Sequence, residues 1–117
     1  MAIIKRINVG PRMSAAVVHG DTVYVSGQVA TKTAGGSVTD QTKEVLQQID
    51  DLLKQAGTDK TKLLAANIYI VDLGTFAEMN AVWDAWVAPG NTPARTTIQC
   101  NLAAPKYAIE IGVVAAL

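Results

Sequence analysis

Tyr107-Ala108-Ile109-Glu110-Ile111-Gly112-Val113-Val114 decides how this chain folds. Side chains alternate along a strand, so Ile109, Ile111 and Val113 share one face, while Ala108, Glu110, Gly112 and Val114 share the other. The first face is branched and apolar, as a core demands. The second is made of small residues and is broken by one carboxylate, which leaves room for a ligand. After Asp84 the only other charged side chains are Arg95 and Lys106. Arg95 stands in Thr92-Pro93-Ala94-Arg95-Thr96-Thr97-Ile98, which also reads as a strand. A full charge in apolar surroundings is costly unless it is paired, hydrogen-bonded or open to a ligand. Arginine cannot neutralise itself by losing a proton, so it needs an anion or water.

Working back towards the N-terminus, Leu64–Val71 reads as another strand. Between it and Arg95, Thr75-Phe76-Ala77-Glu78 has the spacing of a capping box. The helix it opens places Phe76, Met79, Trp83, Trp86 and Val87 on one face, and Pro89-Gly90 stops it. Earlier, Val45, Leu46, Ile49, Leu52, Leu53 and Ala56 recur at helical spacing. That helix is predicted to start at a Thr39 N-cap and to end at Gly57. The polar, glycine-rich loop Thr31–Ser37 precedes it and is predicted to be mobile. Ala2–Asn8, Ser14–His19 and Thr22–Gln28 read as strands, the last two joined by a Gly20-Asp21 turn of type II′. The two final strands are predicted over Arg95–Cys100 and Tyr107–Ala116. The order is β-β-β-α-β-α-β-β, an α+β fold with both helices on one face of a mixed sheet. Val, Ile and Ala on both strand faces point to self-association through the other.

The chain has 117 residues, half of them hydrophobic, which predicts one domain over residues 1–117. Ten basic and ten acidic residues give no net formal charge, which argues against nucleic acid or an anionic membrane as partner. No apolar run is long enough to span a membrane, and the start does not read as a signal peptide. One cysteine, Cys100, fits a reducing compartment, so the predicted location is cytoplasmic.

Arg95 suits a bidentate clamp on a substrate carboxylate, roughly 1.5–3 kcal/mol per charge-assisted bond in a sheltered site. The alternative is a structural ion pair with Glu110 or a neighbouring subunit. Pro93 stiffens the approach to Arg95. Glu110 is a candidate to position or deprotonate water, or else is Arg95's counter-ion. Gly27 in Ser26-Gly27-Gln28 permits close backbone approach by a ligand, although a simple strand kink is the plainer account. Asn80 interrupts an apolar helix face; capping a neighbouring loop is favoured over bordering a pocket. His19 belongs to an exposed turn, Cys100 to the core, and Trp83 and Trp86 to core and subunit contacts. Zinc-ligand spacing, a phosphate loop and a nucleophile elbow are missing, and one histidine makes a Ser-His-Asp triad improbable.

Ser26-Gly27-Gln28, the helix ending at Gly57, Phe76–Asn80, Pro93-Ala94-Arg95 and Ile109-Glu110-Ile111 in this order and spacing resemble the RidA (YjgF) family across essentially the whole chain. The resemblance implies a chorismate-mutase-like α+β fold assembled as a homotrimer with ligand clefts between subunits. It also implies hydrolysis of reactive enamines and imines, such as 2-aminoacrylate, to 2-keto acids and ammonia without metal or cofactor. Arg95 then matches the arginine that binds the substrate carboxylate. Glu110 matches the glutamate that orients water, and Ser26 and Gly27 match pocket-lining positions. Thr97 replaces the family's cysteine, Met13 its tyrosine, and Gly112 a frequent second carboxylate. These departures leave a rival expectation, a trimer that binds a 2-keto acid without turnover. A ribonuclease activity, sometimes attached to the family, fits the neutral charge poorly.

Overall fold

The computed structural model describes residues 3–117. Strands β1 (Ile4–Val9), β2 (Ser14–His19) and β3 (Thr22–Val29) lead into helix α1 (Val38–Ala56). Strand β4 (Leu63–Ile70), helix α2 (Phe76–Trp86) and strands β5 (Ala94–Gln99) and β6 (Ile109–Ala116) complete the predicted order. Short 3-10 turns at Lys60–Lys62 and Leu73–Thr75 introduce β4 and α2. The six strands form one mixed sheet in the order β1-β2-β3-β6-β4-β5. Only β4 and β5 run parallel, because α2 carries the chain back between them.

Boundaries moved for local reasons. Ala2 of the predicted first strand lies outside the described residues. Tyr107 and Ala108 stay out of β6; the Ala108 N–H donates to Gln41 Oε1 instead (2.9 Å). Ser37, not Thr39, caps α1, its hydroxyl accepting from the Asp40 N–H at 3.1 Å. Val38 is buried, so the helix begins early enough to seat it. The capping box does not form: Thr75 makes no side-chain cap, and its hydroxyl donates to the Asp72 carbonyl (2.6 Å). Glu78 instead accepts from the Thr39 N–H and hydroxyl at 2.9 and 2.8 Å, tying the starts of the two helices together. Helix α2 ends at Trp86, before Pro89, and leaves Val87 beyond it. The loop expected to be mobile is pinned: Glu44 accepts from the N–H groups of Lys32 and Thr33 and from the Thr33 hydroxyl.

Gly57 at φ 91° closes α1, with the Thr58 N–H reaching back to the Leu53 carbonyl. Gly20 takes φ 60° in the turn that pairs His19 with Thr22. The α1 stripe, Met79 and Trp83 of α2, and the inward residues of the strands form one core. Ile109 and Ile111 are fully buried in it, each worth about 1.5–3 kcal/mol of transfer free energy. Both helices cover the same sheet face. On the other, Tyr24, Ala65, Asn67, Tyr69, Thr96, Ile98, Glu110, Gly112 and Val114 share an uncovered surface, as register and alternation require.

Candidate active site

The Arg95 half is built on the helix side of the sheet edge. In the parallel β4–β5 register Arg95 pairs with Ala66 and Thr97 with Ile68, and both partners are buried under the helices. The guanidinium lies over the aromatic rings of α2, its carbon 5.2 Å from the Trp83 ring centroid and 5.9 Å from that of Phe76. Such stacking is worth about 0.5–2 kcal/mol, more as water is excluded. Arg95 and Thr97 line an open hollow of about 550 Å³ with Leu73 and Phe76. Leu73 and Phe76 give it an apolar wall beside a fixed cation.

The Glu110 half lies on the uncovered face. Glu110 pairs with Val29 on one side and Tyr69 on the other. Opposite Gly112 the β3–β6 ladder shifts register between Val25 and Gln28, so Ser26 and Gly27 form a bulge. The Glu110 side chain lies against this bulge: a Cβ added to Gly27 would come within 2.8 Å of its Cδ and 3.0 Å of its Cγ. Glycine at position 27 therefore makes room for the carboxylate. The Ser26 hydroxyl donates to the Ala15 carbonyl (3.0 Å), and Gln28 Nε2 donates to the Ser26 carbonyl (3.1 Å). Gln48 of α1 donates to the Val29 carbonyl at 3.0 Å, which ties the bulge to the helix layer. Two shallow hollows meet at Gly27. One, of about 320 Å³, includes Met13, Ser26 and Gln28; the other, of about 260 Å³, includes Tyr24, Asn67, Tyr69, Glu110 and Gly112.

Ser26, Gly27, Met13 and Glu110 thus gather around the β3 bulge, and Arg95 and Thr97 at the β5 edge. Within one chain Arg95 and Glu110 occupy opposite faces of the sheet, which removes the intrachain ion pair as an explanation for either charge. Asn80 does not cap a loop: its Oδ1 is buried without a hydrogen-bond partner. Asn80 lies on the α2 stripe of Phe76 and Trp83, at helical spacings of four and three residues, and outside the lining of these hollows. Cys100 is half-buried rather than core, whereas His19 is exposed as expected. A groove of about 510 Å³ between the helices contains no predicted site residue. Its acids are already engaged, Asp50 by the Trp86 indole N–H (3.0 Å) and Glu78 by Thr39. Among the described residues no His, Cys, Asp and Glu cluster could hold a metal, and no helix is long and apolar enough to cross a membrane.

Sequence reasoning missed the aromatic support beneath Arg95 and the Asn67–Tyr69 side of the Glu110 hollow. The first was visible as the Phe76, Asn80, Trp83 spacing, and the second as alternation along β4, but neither pattern named its partner strand.

A mixed six-stranded sheet with two helices on one face is the fold of small YjgF-like proteins. The family model described as Endoribonuclease L-PSP matches residues 3–117. The chain is 40% identical over 114 residues to the RutC family protein YoaB of Escherichia coli strain K12, covering 97% of this chain and 98% of that one. A crystal structure of a YjgF family member from Neisseria meningitidis is 42% identical, with a TM-score of 0.94, covering 97% of this chain and 94% of that chain. A rat protein named 2-iminobutanoate/2-iminopropanoate deaminase is 30% identical over 107 residues, covering 87% of this chain and 77% of that protein. The chain belongs to the Endoribonuclease L-PSP family, the RidA/YjgF/RutC family of the sequence resemblance.

Proposed function

We propose that this protein is a hydrolytic deaminase of 2-imino and 2-enamino acids, acting in the cytoplasm as a homotrimer whose sites lie between subunits. The observation that carries this is the Arg95 guanidinium, supported by rings rather than acids and facing a hollow with an apolar wall. A carboxylate with a small apolar side chain suits that pairing of cation and hydrocarbon. The sheet separates Arg95 from Glu110 within a chain, so a site holding both takes one from each of two neighbouring copies.

In that site Arg95 binds the substrate carboxylate and places the imine carbon near Glu110. Glu110, steadied over Gly27, accepts a hydrogen bond from the attacking water and points its oxygen at that carbon. Addition puts the water oxygen on carbon and one of its protons on nitrogen; the carbinolamine hydroxyl then gives up its proton, which reaches nitrogen through Glu110, the C–N bond breaks, and ammonia leaves the 2-keto acid. Imines hydrolyse readily, so positioning and electrostatics suffice and no cofactor is required. Ser26, Met13 and Thr97 line the approach, and Asn80 lies on the α2 stripe that supports Arg95. The rat relative's name, 2-iminobutanoate/2-iminopropanoate deaminase, supports the substrate class. The balanced charge of the chain gives no electrostatic footprint for RNA.

The test is Arg95→Ala, assayed with an imino acid generated in situ by an amino-acid oxidase. Loss of two charge-assisted bonds predicts a fall in kcat/KM of about a hundredfold or more. A near-normal rate from a folded trimer overturns the clamp. Thr97 and Met13, in place of the family's cysteine and tyrosine, favour a second reading: a trimer that binds 2-keto acids without turnover. Thermal stabilisation by pyruvate with no deaminase activity would establish that one instead.

A further inference from the structure

We propose that Trp83, with Phe76, is a positioning residue that holds the Arg95 guanidinium flat for its ligand; the proposal rests on the clamp reading above. Trp83 is only 4% exposed, yet its face is offered to a cation. Packing alone accounts for its burial in the core, but its π face also attracts the guanidinium, which an aliphatic side chain would not do. The ring is itself held. Trp86 packs against it at 5.3 Å between centroids, tilted by 52°, and the Trp86 indole donates to Asp50 of α1. A chain of contacts therefore runs from Asp50 through Trp86 and Trp83 to Arg95, and it fixes an otherwise flexible side chain from the helix layer. A guanidinium stacked by its face keeps its N–H groups in the plane of the fork, where a carboxylate receives two of them at once. Phe76, at the wall of the hollow, supports the outer part of the same group.

The experiment reads Arg95 directly. The chain has three arginines, Arg6, Arg12 and Arg95, so a nitrogen-15 spectrum of arginine Nε–H groups is simple, and Arg95→Ala assigns the signal. In the wild type the Arg95 signal lies upfield of the other two because of the ring current. Pyruvate serves as the probe ligand, with affinity measured by calorimetry on the assembled protein. Trp83→Leu is expected to move the Arg95 signal downfield and to weaken pyruvate binding about tenfold, while Trp83→Phe keeps most of both. Loss of the ring moves the signal whatever its role, so the affinity decides: a structural role alone would leave pyruvate binding unchanged in a folded variant. If Trp83→Leu does not fold, Phe76→Leu on the surface decides by the same affinity, with a smaller shift and a loss of a few-fold.

Two results overturn the proposal in different ways. Unchanged pyruvate affinity in the leucine variant, whatever its Arg95 signal does, while Arg95→Ala abolishes binding, removes the aromatic support and leaves the clamp. Pyruvate binding by Arg95→Ala at wild-type strength removes the clamp and with it anything for Trp83 to position.

Discussion

The two halves of the candidate site hold their charges by opposite means. Arg95 stands near the start of an edge strand and is steadied by aromatic rings from a helix. Glu110 stands in the centre of the sheet and is steadied by the absence of a side chain, over the Gly27 bulge. A long cation on an edge needs a surface to lie on; a shorter anion on a central strand needs a gap to lie in. The sheet separates them within one chain. Under the proposed function, assembly would bring one of each together.

The largest expected effect tests that separation. Arg95→Ala and Glu110→Gln are each predicted to be inactive as pure assemblies. Unfolded together and refolded as a mixture, they should regain activity, because some interfaces receive an intact arginine from one copy and an intact glutamate from the next. Random mixing of the two chains gives about one quarter of sites intact, and activity should approach that share. No recovery, with mixed assembly verified by mass spectrometry, would mean that the two charges never meet across an interface.

Gly27 provides the next test, on the Glu110 half. In Gly27→Ala the new methyl overlaps the end of a flexible side chain rather than backbone, so Glu110 swings aside. Stability should change by no more than about 1 kcal/mol, while kcat falls about tenfold or more. Gly112→Ala is the control on the same face, since its nearest neighbours, the Val25 carbonyl oxygen at 3.4 Å and Gly27 N at 3.5 Å, are near ordinary contact. Its methyl narrows the Glu110 hollow without displacing the carboxylate, so the loss of kcat should be smaller than for Gly27→Ala. Equal losses from both variants would show that crowding of the face, not displacement of Glu110, limits activity.

On the Arg95 half, Asn80 offers a smaller effect of the opposite sign. Its Oδ1 is buried without a partner, a cost of about 1–3 kcal/mol for an unsatisfied acceptor. Asn80→Leu is expected to raise Tm by a few degrees in a thermal melt and to lower pyruvate affinity, the pattern of a polar group kept for function. A lower Tm would show that the oxygen is satisfied across a subunit contact.

Much of this arrangement was legible in the sequence, and the illegible part has a common cause. The alternation around Glu110 gave its face correctly, with Ile109, Ile111 and Val113 buried and the small residues half-covered. The α1 stripe, the element order and Gly57 were equally readable, because each is a local pattern. Contacts between distant segments were not. Glu78 reads as half of a capping box, yet it bonds Thr39, thirty-nine residues away. Nothing near Gln41 in sequence announces that it holds the backbone of Ala108. The same blindness hid the Trp83 ring under Arg95: the two are close only because β5 returns parallel to β4 after α2.

The smallest expected effect concerns acid, and it should divide the two halves. Partial burial pushes the Glu44 carboxyl up, but hydrogen bonds from the Lys32 N–H and from the Thr33 hydroxyl and N–H outweigh it, and the net result lies below its ordinary 4.5. A carboxylate with a depressed folded-state value contributes stability that is present above the unfolded value and is lost as pH falls through the folded one. Acidification from neutral pH to below 4.5 should therefore release Lys32 and Thr33, and with them Thr31 at the Met13 hollow. The β5 strand that carries Arg95 has no carboxylate of its own and should be unaffected over the same range. Hydrogen-exchange protection factors check this. Those of Lys32 and Thr33 should fall with pH while those of Thr96 to Gln99 hold, and Glu44→Gln should show low protection at residues 32 and 33 already at pH 7. Parallel loss in both regions, or full protection in Glu44→Gln, would mean that the loop is held by something other than this carboxylate.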